Sequence, residues 1–180
     1  MRVLVTGPRG FVGARIMDEL GQEAIPSPSL RSVDEEGVWR IVDAAQPDMI
    51  IHTAAISDIP TCEKNPEVSY RANVEIPVWL ALTGVKCVMF SSDQVYSGCA
   101  GEGPNTEEET APTNLYSCHK LEMVQRTLDI NPDTVLLRAT WMYDMLKYGV
   151  PNRGNFLVNQ IRNRPVELLF DHDIVCISVA

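Results

Sequence analysis

Tyr116 and Lys120 stand four residues apart in Leu115-Tyr116-Ser117-Cys118-His119-Lys120, a spacing that puts both side chains on one face of a helix. A phenol with its ordinary pKa of about 10 is a poor acid–base at neutral pH. A lysine cation beside it favours the phenolate, and lowering the pKa toward the working pH makes Tyr116 a proton donor or acceptor. Ser92, in the apolar-to-hydroxyl run Phe90-Ser91-Ser92, offers a hydroxyl that can hold a substrate oxygen while hydride moves. By itself a Tyr-x-x-x-Lys pair is a common surface feature of helices. It gains meaning from a third element far upstream.

That element is Gly7-Pro8-Arg9-Gly10-Phe11-Val12-Gly13, directly after the apolar run Val3-Leu4-Val5. Glycines at the first, fourth and seventh positions, between a strand and an amphipathic run, describe a backbone that hugs a pyrophosphate. The first permits a tight turn, the second admits the diphosphate, and the third lets helix and strand pack closely. The helix N-terminus then presents free N–H groups to the anion.

The elements that must position these groups alternate. Strands are predicted at Arg2–Thr6, Glu23–Ile25 (stopped by Pro26 and Pro28), Asp48–His52, Lys86–Ser91 and Thr134–Arg138. Helices are predicted at Phe11–Leu20, Val33–Ala45, Pro66–Leu82 (one long or two abutting) and Leu115–Leu128. Gly98–Pro112 and Asp144–Arg153 read as loops, Asn155–Ile161 as helix and Val166–Phe170 as strand. This repetition implies an α/β fold, a Rossmann doubly wound parallel sheet with helices on both faces. Ligands bind outside the carboxyl ends of such strands. The glycine loop, Thr53-Ala54-Ala55 and Ser91-Ser92 all follow predicted strands and should meet on one edge.

The chain has 180 residues, 45% hydrophobic and 22% charged, enough for a sizeable core. A formal charge of -9 argues against nucleic acid or an anionic membrane surface as partner. The five cysteines show no metal or C-x-x-C spacing, so no metal is expected. With no signal peptide or membrane-length apolar run, the chain reads as cytoplasmic with reduced thiols.

These motifs together resemble the extended short-chain dehydrogenase/reductase superfamily, and within it the dTDP-4-dehydrorhamnose reductases. Four stretches carry the likeness: Thr6–Gly13, Pro47–Ala55, Phe90-Ser91-Ser92-Asp93-Gln94-Val95-Tyr96-Ser97-Gly98, and Pro112-Thr113-Asn114-Leu115-Tyr116-Ser117-Cys118-His119-Lys120. Leu137-Arg138-Ala139-Thr140-Trp141-Met142-Tyr143 adds a fifth. The resemblance implies that Ser92 polarises a keto oxygen, Tyr116 protonates it, and Lys120 lowers the tyrosine pKa and holds the nicotinamide ribose. It places Gly7, Arg9, Gly10, Phe11, Val12, Gly13, Thr53, Ala54, Ala55 and Asn73 near the cofactor, and Asp93 and Trp141 near the sugar; a core position is the other reading of Trp141. His52 reads as a strand-end imidazole bonded to backbone, and His119 as solvent-facing.

After the second strand, Ala24-Ile25-Pro26-Ser27-Pro28-Ser29-Leu30-Arg31 lacks the acid that grips a ribose 2′-hydroxyl. Ser27, Arg31 and Arg9 suit a 2′-phosphate instead, favouring NADP(H) over NAD(H). The implied division is an NADP(H)-binding Rossmann domain over 1–143 and a partial substrate-domain segment over 144–180. Reductases of this group are longer, and the stretch Asp171-His172-Asp173-Ile174-Val175-Cys176 lacks the glycine, proline and threonine usual there, so the sugar pocket is expected to be incomplete. Ser117 stands where glycine is usual. The expected activity is reduction of a 4-keto nucleotide sugar. An epimerase or dehydratase, and a non-catalytic cofactor-binding subunit like the regulatory subunit of methionine adenosyltransferase, are the alternatives. A homodimer pairing helices is common in the superfamily.

Overall fold

The structure is a computed structural model and describes residues 1–101, 103–144, 149–151, 155 and 177–178. Five parallel strands, β1 (Val3–Thr6), β2 (Ala24–Pro26), β3 (Met49–His52), β4 (Lys86–Ser92) and β5 (Val135–Ala139), form one sheet in the order β2-β1-β3-β4-β5. The order reverses between β1 and β3, so the ligand crevice of this doubly wound sheet opens where the chain leaves those two strands. β6 (Met142–Tyr143) pairs in parallel with β7 (Ile177–Ser178) in a separate ribbon.

The sheet is apolar on both faces, as a parallel sheet covered by helices requires. Leu4, Ile50, Cys87 and Met89 point to one side. They pack with Val38 and Val42 of α2 (Glu35–Ala45), with Leu80 and Ala81, and with Met123. Burial pushes the Cys87 thiol up to about 12, so this cysteine is inert packing. Asp34 caps α2 by accepting from Gly37 N at 2.9 Å, which moves the start of the predicted helix from Val33 to Glu35.

β2 runs through Pro26, one residue past its expected stop. Pro26 pairs with Val5, and Ser27 N donates to Val5 O at 2.9 Å. β2 is an edge strand, where a residue without an N–H costs no ladder bond. α1 (Phe11–Leu20) has the predicted limits. The predicted helix over Pro66–Leu82 is three pieces: α4 (Pro66–Tyr70), a π turn at Arg71–Glu75, and α5 (Ile76–Leu82). It is preceded by α3 (Ile59–Lys64), which the sequence reading missed. α3 is short, but Asp58 caps it by accepting from Thr61 N at 2.9 Å, and Pro60 sits in its first turn.

The last helix among the described residues, α6 (Leu115–Ile130), extends two residues past expectation. Asn114 and Ser117 open it with a reciprocal capping box: Asn114 Oδ1 accepts from Ser117 N at 2.9 Å, and Ser117 Oγ accepts from Asn114 N at 3.2 Å. Ser117 is fully buried and also donates to Asn114 O at 2.8 Å. The serine that departs from the expected glycine therefore closes the cap. The Gly98–Pro112 loop is pinned at its base by Gly98 N to Ala111 O and Ala111 N to Val95 O, both 2.8 Å. The helix expected at Asn155–Ile161 and the strand at Val166–Phe170 fall outside the described residues, apart from Asn155. Among the described residues, no helix is long and apolar enough to cross a membrane.

Candidate active site

The glycine turn is built as its spacing requires. Gly7 has φ +65°, and a Cβ there would lie 3.0 Å from both Ala54 N and Thr53 Oγ1. A Cβ on Gly13 would stand 2.2 Å from Gly7 O and 2.7 Å from Thr53 Oγ1. No side chain larger than hydrogen fits at either position. α1 begins at Gly10 with no side-chain cap and no acidic residue in its first turn, so its N–H groups and partial positive charge face the crevice. These features fit a dinucleotide pyrophosphate. Phe11 is buried, Val12 half-buried, and Arg9 exposed at the turn.

Thr6 joins the glycine turn to the backbone that follows β3. Its Oγ1 accepts from Thr53 N at 3.2 Å and Ala54 N at 3.4 Å, and its carbonyl accepts from Thr53 Oγ1 at 2.6 Å. Thr53 and Ala54 are half-buried and Ala55 is exposed. At the end of β2, Ser27 is buried and its hydroxyl donates to Pro28 O at 2.9 Å, while Arg31 is exposed.

β4 delivers Ser92 and α6 delivers Tyr116 and Lys120 to the same sheet edge. Ser92, 6% exposed, lies close enough to Tyr116, 8% exposed, for its hydroxyl to act on the phenol. Ser92 Oγ donates to Asp93 Oδ1 at 3.0 Å and accepts from Gln94 N at 3.2 Å, capping the short turn Asp93–Tyr96. Lys120 Nζ donates to Phe90 O at 2.8 Å and lies 5.8 Å from the Tyr116 ring centroid.

The electrostatics correct one expectation. Burial pushes the Tyr116 phenol up to about 12; Ser92 opposes this, and the nearby Asp93 and Cys62 add to it. Lys120 does not lower it. The lysine is itself buried, which brings its pKa down to about 8, and its ammonium is aimed at a carbonyl. Desolvation, invisible in the residue spacing, sets the phenol's pKa, where the spacing had suggested the charge of the lysine would.

Three further expectations change. His52 is bonded to a side chain rather than to backbone: its Nδ1 meets Thr6 Oγ1 at 2.8 Å. Burial first, and then the Lys120 cation, take its pKa down to about 3. His119 does not face solvent; it is 7% exposed, with Nδ1 at 2.9 Å from Ser69 Oγ, and burial holds its pKa down. The cause is visible in α6, whose residues 116, 119, 120, 123 and 127 are all buried. His119 lies three residues after Tyr116 and belongs to the same stripe. Trp141 is 53% exposed, which removes the core reading.

Asn73 is fully buried in the π turn. Its Nδ2 donates to Ile56 O at 2.9 Å and Ser69 Oγ at 3.2 Å, and its Oδ1 accepts from Ile56 N at 3.1 Å. It clamps the segment after β3 rather than presenting its amide to the crevice. The sequence reading also missed Thr6, Ser69, Cys62 and Arg15. Arg15 is 1% exposed; its Nε meets Asp144 Oδ2 at 2.7 Å, and its Nη1 donates to Phe11 O and Pro151 O. An arginine on the buried stripe of α1 was the available signal. No group of three His, Cys, Asp or Glu side chains suited to a metal exists among the described residues.

A family model described as the RmlD substrate binding domain matches residues 1–170. The chain belongs to this family. The RmlD-family chain is 29% identical over 152 residues to dTDP-4-dehydrorhamnose reductase of Mycolicibacterium smegmatis, covering 79% of this chain and 46% of that protein. It is also 29% identical over 159 residues to methionine adenosyltransferase 2 subunit beta of Rattus norvegicus, covering 79% and 47%. Among solved structures, dTDP-4-dehydrorhamnose reductase of Bacillus anthracis in complex with NADP superposes with a TM-score of 0.76 at 29% identity, covering 89% of this chain and 58% of that one. The chain spans about half the length of the curated relatives it matches.

Proposed function

We infer that this chain carries the cofactor-binding and catalytic portion of an NADP(H)-dependent reductase of a 4-keto nucleotide sugar. One observation carries the reading: the Ser92–Tyr116–Lys120 group is physically continuous with the glycine cradle. Lys120 lies close enough to His52 for its charge to act on the ring, His52 bonds Thr6, and Thr6 leads into Gly7 while holding the Thr53-Ala54 backbone. The relatives named as reductases, and the NADP complex of one of them, support the same reading.

Gly7, Gly10, Gly13 and the N-terminus of α1 would hold the pyrophosphate, with Thr53, Ala54 and Ala55 along the dinucleotide. Arg9 and Arg31, both exposed near the ends of β1 and β2, suit the 2′-phosphate, because guanidinium pairs phosphate in a charge-assisted fork. When bound, a reduced nicotinamide supplies hydride to the carbonyl carbon. Tyr116, kept protonated by burial, gives its hydroxyl proton to the carbonyl oxygen. Ser92 would orient that oxygen by turning toward it the hydroxyl proton that Asp93 Oδ1 accepts here. Lys120, fixed on Phe90 O, would hold the nicotinamide ribose.

The test is oxidation of NADPH with a dTDP-4-keto-6-deoxy sugar by the wild type and Tyr116→Phe. Consumption of one NADPH per sugar reduced, and a loss of roughly 100-fold or more in the variant with NADPH affinity unchanged, bear the reading out. Sugar conversion without net NADPH loss identifies an epimerase or dehydratase. NADPH binding without turnover on any keto sugar, with a stoichiometric protein partner, identifies a cofactor-binding subunit, the reading that the likeness to methionine adenosyltransferase 2 subunit beta raises.

A further inference from the structure

One face of the sheet changes character at its carboxyl end. The face that carries Leu4, Ile50, Cys87 and Met89 in the core continues toward the carboxyl ends of the strands as Thr6, His52 and Ser91. Thr6 and His52 are direct register partners on β1 and β3, and Ser91 sits two residues beyond the partner of His52 on β4. All three are buried, His52 and Ser91 at 3% exposure each. Two atoms in this row, His52 Nε2 and Ser91 Oγ, are buried with no hydrogen-bond partner among the described residues. Such atoms cost free energy unless something pairs with them.

The tautomer of His52 follows from counting lone pairs. Thr6 Oγ1 accepts from Thr53 N and Ala54 N, which occupies both of its acceptor sites. Its own proton is then donated to His52 Nδ1, 2.8 Å away. A neutral imidazole that accepts at Nδ1 carries its proton on Nε2. So Nε2–H is a buried donor without an acceptor, next to a strand bearing an unpaired hydroxyl and near the ammonium of Lys120, which cannot accept.

We propose that His52 Nε2–H, Ser91 Oγ and Lys120 Nζ border one buried water, and that His52 is thereby a positioning residue for Lys120. Water is the ligand that fits. It accepts from two donors, His52 and Lys120, and donates to Ser91, giving the roughly three hydrogen bonds that buried waters typically make. Phe90 O holds one Nζ proton, and the water takes another, so the ammonium is fixed from two sides. The charged and titratable groups around Lys120 are His52 from β3, Cys62 from α3, Tyr116 from its own helix, and Asp93 beyond Tyr116. The His52 ring and the neighbouring Ser91 hydroxyl are the two that bring a buried polar atom without a partner among the described residues.

The proposal rests on the reductase reading only for its kinetic arm. Nitrogen-15 spectra of the histidine rings in the whole chain should show His52 as the Nε2–H tautomer, with no titration from about pH 5 to about pH 8. A high-resolution crystal structure should place a water within hydrogen-bond distance of both His52 Nε2 and Ser91 Oγ. In turnover, His52→Phe should lower kcat by roughly tenfold or more and shift the alkaline limb of its pH profile to lower pH, with KM unchanged. His52→Gln, which restores a donor, should recover part of the loss, and Ser91→Ala should repeat the limb shift in smaller measure. A proton on Nδ1, titration within that window, direct contact of Nε2 with Ser91 Oγ, or equal kcat for His52→Phe and wild type overturns the proposal. If the wild type reduces no keto sugar, the reductase reading fails, while the ring tautomer and the water still decide this inference.

Discussion

Tyr116 and Lys120 are each displaced from their solution behaviour by the same burial, in opposite charge senses. The phenol is held neutral, and the ammonium is made easier to deprotonate. For Lys120, a folded pKa of about 8 against 10.5 unfolded means that the unfolded chain binds more protons between those values. Stability therefore rises with pH through that window, and the full cost of the buried cation is present below it. Lys120→Met should abolish turnover yet keep or raise the urea midpoint at pH 7, and should flatten the rise from pH 8 to 10.5. A variant that is inactive and also much less stable would mean that the bond to Phe90 O outweighs the burial cost. The residue types and their spacing pointed to this pair, because four-residue spacing is a property of any helix. They gave the wrong electrostatics, because desolvation depends on what packs over the helix and no local pattern encodes that.

Elements place these residues through contacts between neighbouring strand ends. The imidazole of His52, at about 3 folded against 6.5 unfolded, binds fewer protons when folded. It contributes stability that is complete above pH 6.5 and is lost as pH falls toward 3. The fall in urea midpoint between pH 7 and pH 4.5 should be distinctly smaller in His52→Gln than in wild type; identical falls would exclude a buried neutral ring. The π turn makes a different contribution. Asn73→Ala leaves Ile56 N without its partner and Ile56 O with only the weak Cys62 thiol donor, at about 1–3 kcal/mol for an unpaired buried group. It should weaken NADPH binding as well, since Ile56 follows the Thr53–Ala55 segment, and fluorescence titration beside urea unfolding reads both. Strands and long helices were legible because burial on both faces writes continuous apolar runs into β1, β3 and β4. α3 and the π turn were not legible. One is six residues long, and the other looks like ordinary helix until Asn73 finds its partners across the chain.

At the scale of the whole molecule, the division expected at residue 143 is crossed by a buried charge pair. Arg15, 2% exposed in its side chain, joins Asp144, 23% exposed, with its guanidinium also 4.0 Å from the Phe11 ring centroid. Removing one partner of such a pair costs about 3–5 kcal/mol. The half-exposed Arg126–Glu122 pair on α6 should cost under about 1 kcal/mol. Arg15→Ala and Arg126→Ala, compared by thermal unfolding, should therefore differ severalfold; equal losses would show that the Arg15 pair adds nothing beyond packing. This tie was hidden from the sequence because its partners lie more than a hundred positions apart.

The capping box at the start of α6 has a consequence for rates. Helix ends ordinarily fray, and Tyr116 stands in the first turn of α6, where fraying would leave its hydroxyl wandering. Ser117 and Asn114 lock that turn before any substrate arrives, so little disorder remains to be removed on the way to the transition state. On the reductase reading, Eyring plots of the wild type and Ser117→Gly should then run nearly parallel, separated mainly in their intercepts: a loss of activation entropy that the wild-type serine avoids.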